Sequence, residues 1–100
     1  MKDYTNTYLF KLIDRATSSN LFENNQIGNY KISPQHGINE LYIYNIYKNN
    51  NHISTITIDG LLKSIEAQVV KDLSIKEIET INDFIFKFYS DFNKIQITNF

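Results

Sequence analysis

Between Thr5 and Ala16 the apolar residues Tyr8, Leu9, Leu12, Ile13 and Ala16 recur at steps of three and four. That spacing gathers side chains on one stripe of a helix. Asp3 or Thr5 is placed to cap its start by accepting a backbone N–H bond. The run "TSSN" (17–20) ends it, because small polar side chains compete for helical backbone bonds. Leu21 and Phe22 are expected to tuck back under the core before the polar "ENNQ".

From Tyr30 the period changes to two. Tyr30 and Ile32 alternate with Lys31 and Ser33, the pattern of a half-buried strand. "SPQHG" (33–37) reads as a turn, with Pro34 presetting φ and Gly37 free to take a positive one. A second strand is predicted from about Ile38 to Tyr47 and a third from about His52 to Ile58. Asn49, Asn50 and Asn51 join them as a hairpin loop, since asparagine tolerates the left-handed region.

After "DG" (59–60) the spacing of Leu62, Ile65, Val69 and Leu73 predicts a helix with Asp59 as N-cap. The next boundary is the sharpest in the chain. Ser74 and Glu77 form a capping box, and Leu73 and Ile78 occupy the positions of a hydrophobic staple. The helix beyond carries Ile78, Ile81, Ile85, Phe88 and Phe92, widened by Ile75, Phe84 and Tyr89. Asp83 and Lys87 make an i,i+4 acid-to-base pair on its opposite side. The tail "KIQITNF" is a short edge strand or a loose end.

These elements sum to an α+β fold: an N-terminal helix, a three-stranded antiparallel meander, and two C-terminal helices packed on one sheet face. Residues 1–100 form a single domain, with one proline, three glycines and no linker composition to divide them. There is no cysteine, which removes disulfides, thiolate nucleophiles and cysteine-based zinc sites. The opening residues lack the apolar core of a signal peptide, and no apolar run approaches a membrane span. A cytoplasmic protein is expected.

Net charge is −1, and nine of the ten basic residues are lysine. Arg15 is the lone arginine, the residue type best suited to reading guanine and clamping phosphates. Neither a dedicated DNA reader nor a polyanion mimic follows from that balance. Asparagine (13) and isoleucine (16) reflect AT-rich coding, as in a low-GC bacterium or its phages.

The tyrosines of "ELYIYNIYK" (40–48) pose the functional question. A two-residue turn at Asn49–Asn50 pairs Ile43 with Ile56 and Leu41 with Ile58, making an aliphatic face for the helices, and other odd-sum registers keep the same faces. Tyr42, Tyr44, Ile46, Ile53, Thr55 and Thr57 then share the other face. They are ordinary cross-strand neighbours, an exposed aromatic contact surface, or a second covered face. As a contact surface they would act with Lys48, Asn49, Asn50 and Asn51 of the adjoining loop.

Catalytic chemistry has no motif to rest on. His36 and His52 stand beside turns without a second ligand or orienting carboxylate at a meaningful spacing. No phosphate loop, GxSxG or HExxH is present. No catalytic residue, metal or cofactor is assigned. Direct nucleic-acid binding is not expected, because only Lys31 and Lys48 surround the tyrosines.

In layout and composition, a short, cysteine-free, AT-coded chain of helix, meander and two helices resembles small phage-encoded anti-CRISPR inhibitors. The resemblance implies a non-catalytic protein that binds a host protein or protein–nucleic acid complex and occludes its nucleic-acid site. The near-neutral charge departs from the acidic DNA mimics among them, which directs the implied contact to the tyrosine face or the asparagine loop. An immunity or antitoxin protein would use the same physics. A small enzyme or ligand-binding domain with a dispersed site is the third alternative.

Overall fold

Thr7 caps the first helix, its hydroxyl accepting the Phe10 N–H at 3.2 Å, and α1 spans Tyr8–Ser18. The computed structural model describes residues 4–18, 24–36 and 39–100. Asp3, Leu21, Phe22, Gly37 and Ile38 therefore lie outside the described residues, and the cap falls two positions beyond Thr5. The stripe is Leu9, Phe10, Leu12, Ile13 and Ala16, with Tyr8 left outside it.

The sheet is larger than the expected meander. Six strands run in the order β1 (Asn25–Ile27), β2 (Tyr30–His36), β3 (Leu41–Lys48), β4 (Asn51–Asp59), β5 (Ser64–Val69) and β6 (Lys94–Asn99). The expected turn at 33–37 starts too early. Ser33, Pro34 and Gln35 still pair with β3, and Pro34 lies past Ile32, the last β2 residue that β1 pairs. A missing N–H is tolerated where a strand has become an edge.

The helix expected after Asp59 does not form, so one C-terminal helix stands where two were predicted. Asp59 does accept the Leu61 and Leu62 N–H groups at 3.0 Å, but Lys63 takes φ 52° and turns the chain into β5. Ile65 and Val69 are spaced for a helix and for a strand alike. Ala67 between them decides: Ile65, Ala67 and Val69 are all buried, while Ser64, Glu66 and Gln68 alternate outward. Leu61 and Leu62 stay exposed in the turn.

The capping-box boundary is where the spacing placed it. Ser74 is the N-cap of α2 (Ile75–Phe88), and its hydroxyl accepts the Glu77 N–H at 3.2 Å. The buried stripe is Glu77, Thr80, Ile81, Phe84 and Ile85, and Ile75 stands outside it. Lys87 lies over the rings of Phe10 and Phe88, at 5.5 Å from each, instead of pairing with Asp83.

The tail becomes β6, parallel to β5. Parallel neighbours need a crossover of a dozen or more residues, and α2 supplies it. One core cluster joins α1 and α2 to Ile32, Ile46, Ile56, Ile58, Ile65 and Val69, so both helices cover the same sheet face.

A single extra residue changes the faces of the central hairpin. Asn49 (φ 50°) and Asn50 (φ 65°) form a two-residue turn with both central φ positive, and Lys48 pairs Asn51. Tyr47 pairs His52, but Ile46 pairs Ser54, leaving Ile53 as a bulge. Beyond it Tyr44 pairs Ile56 and Tyr42 pairs Ile58. The expected partition is thereby reversed for β3: Tyr42, Tyr44 and Ile46 join Ile56 and Ile58 toward the helices. Leu41, Ile43 and Asn45 share the opposite face with Thr55 and Thr57.

Candidate functional site

Three regions gather the functional residue types, and the first is a carboxylate locked by the fold. Glu77 sits on the first turn of α2 and is buried. Its carboxylate accepts the Ser74 hydroxyl at 2.7 Å and the Tyr30 hydroxyl at 2.8 Å, and pairs with the Lys48 ammonium at 3.4 Å. Burial by itself would raise its pKa. The Ser74 and Tyr30 hydroxyls and the Lys48 charge outweigh burial and hold it below the ordinary glutamate value. Burial and the same carboxylate push the Tyr30 hydroxyl upward. A carboxylate kept ionised and a phenol kept neutral form a fixed polar tie, not a pair poised to exchange protons near neutrality. A groove of about 510 Å³ opens beside them, lined by Asn6, Thr7, Tyr8 and Lys76 among others.

The second region holds the tyrosines that the sequence singled out. Tyr44 is 6% exposed and Tyr42 half-buried, so they do not make an exposed aromatic face. Burial pushes the Tyr44 hydroxyl up to about 12. Both line a recess of about 260 Å³ with Tyr89, Phe92 and Lys63, whose ammonium lies 5.4 Å from the Phe92 ring centre. Ile46 and Ile53 are buried in the core.

The third region is the sheet face away from the helices. Thr55 and Thr57 stand there, and so does Tyr47. The His52 ring lies between Tyr47, at 5.5 Å, and Phe100, at 5.1 Å. His52 Nε2 is 2.8 Å from the Thr55 hydroxyl, which donates to Asn45 Oδ1 at 2.9 Å. With its proton given to Asn45, that hydroxyl accepts from His52 Nε2–H, which assigns the tautomer. The hairpin Lys48–Asn51 adjoins this corner, with Lys48 drawn to Glu77.

Sequence reasoning missed Phe100 and the Glu77 cluster. No short spacing announces either: Tyr30 and Glu77 are 47 residues apart, and Phe100 reaches His52 only because β6 lies beside β5. Among the described residues no group of three His, Cys, Asp or Glu side chains is placed to hold a metal ion. No described helix is long and apolar enough to cross a membrane. No protein-family model, curated protein or solved structure matches this chain.

Proposed function

We propose that this is a small non-catalytic interaction protein whose working surface is the helix-free face of its sheet. The observation that carries the reading is the one-sided packing of both helices. It leaves a face that carries Leu41, Ile43, Thr55, Thr57, Gln68, Gln96 and Thr98, with the Tyr47–His52–Phe100 rings at one corner. Amide and hydroxyl groups around rigid aromatic anchors are the chemistry of protein-binding surfaces. Charge on this face balances, with Lys31 and Lys94 against Asp59 and Glu66. A folded protein surface suits it better than the phosphates of a nucleic acid, which call for an excess of cations.

The narrower reading is a phage-encoded inhibitor of a CRISPR-type effector in the host cytoplasm. Its support is composition alone, because the six-stranded layout departs from the helix–meander–two-helix arrangement on which the resemblance was drawn. The test is phage plating on hosts that carry such effectors, with and without this protein. Expression should restore plaques against at least one effector, and Thr57→Arg, which plants a long cation mid-face, should abolish the effect with the circular dichroism unchanged. Failure to restore plaques on any host removes the inhibitor reading. Full activity of the folded arginine variant removes the surface.

A further inference from the structure

The free edge of β6 offers a more specific site. The N–H groups of Lys94 and Phe100 bond to Lys63 and Val69, on the β5 side. Backbone groups alternate in direction along a strand, so Gln96 and Thr98 also face β5. The N–H and C=O groups of Ile95, Ile97 and Asn99 point outward, and no described strand pairs with them. Such an edge is ordinarily blunted by proline, by a bulge or by repeated charge. In β6 the only such device is Lys94, at its first position.

We infer that β6 pairs antiparallel with β6 of a second copy of this chain, giving a two-fold dimer with a continuous twelve-stranded sheet (two sheets of six). A two-fold contact must be self-complementary, and this edge is. With Ile97 opposite its own copy, Ile95 faces Asn99 and every outward backbone group finds a partner. The antiparallel sense sends the two Lys94 side chains to opposite ends, whereas a parallel pairing would stack them.

Sedimentation velocity at low and high micromolar concentration, paired with amide hydrogen exchange, tests this. The parent should reach twice the monomer mass, with the Ile95, Ile97 and Asn99 amides slowing as the dimer forms. Asn99→Pro removes one outward donor and leaves the β5 side intact, whereas Asn99→Ala keeps that donor. Both should remain folded by circular dichroism, the proline variant sedimenting as a monomer and the alanine variant as a dimer. A parent that stays monomeric with fast β6 amides overturns the proposal and leaves the edge to a strand of another protein. A dimer that survives Asn99→Pro overturns it equally.

Discussion

Glu77 is a buried charge on the first turn of α2. Removing a carboxylate from water is costly, and here two hydroxyls and one ammonium take the place of the lost hydration. Because the folded pKa lies below the unfolded one, the charged form stabilises the fold at neutral pH. That contribution is complete above the unfolded value of about 4.3 and is lost as pH falls through the lower folded value. Glu77→Gln keeps the shape and removes the charge. It should be less stable than the parent at pH 7 and should lose less stability between neutral pH and the acid range. Urea unfolding at a series of pH values measures both slopes, and parallel curves would show that Glu77 does not govern the acid response. Tyr4 makes a related contact: its hydroxyl donates to Glu79 at 2.5 Å, and that bond, with burial, pushes its pKa to about 12.

At the scale of elements, the bulge at Ile53 decides which side chains are core. Ile46 is fully buried and packs with the helices, whereas Ile43 stands half-buried on the other face. Ile46→Ala should cost roughly 2–5 kcal/mol by opening a cavity, and Ile43→Ala less than about 1 kcal/mol, the span of strand propensity. Denaturant midpoints of the two variants give the answer, and the reverse order would restore the unbulged pairing. The local signals were legible: the α1 stripe, the Ser74 cap and the double-asparagine turn each depend on residues within a few positions. The bulge was not, because burying Ile53 and Ser54 together gains its benefit from β5, where the Ser54 hydroxyl donates to the Gln68 carbonyl at 2.9 Å. β5 was hidden for a different reason. Ile65 and Val69 satisfy both periods, and Ala67, the small residue between them, becomes core only with a sheet neighbour on each side. Tyr42 and Tyr44 fell with the bulge, since a parity change of one residue moves a whole strand's side chains across the sheet.

For the whole molecule, the order of strands couples the two ends of the chain through α2. β1 to β5 follow one another as antiparallel neighbours, each closed by a short connection. β6 is different: it reaches β5 only after the chain has crossed the sheet as α2. The crossover is fixed at both ends, by the Ser74 cap beside Tyr30 and by the Asn93 N–H bonded to the Lys63 carbonyl at 2.8 Å. Ending the chain after Asn93 removes β6, takes the half-buried Ile95 and Ile97 from the core, and opens the edge of β5. Half the burial of two isoleucines, at about 1.5–3 kcal/mol for each complete side chain, amounts to roughly 1.5–3 kcal/mol. The lost ladder bonds add to that at about 1 kcal/mol each. The shortened chain should therefore unfold at a clearly lower urea midpoint, with a smaller dependence on denaturant because less surface is buried. A midpoint and slope equal to those of the full chain would mean that β6 is an appendage of the sheet and that α2 is held by the other five strands alone.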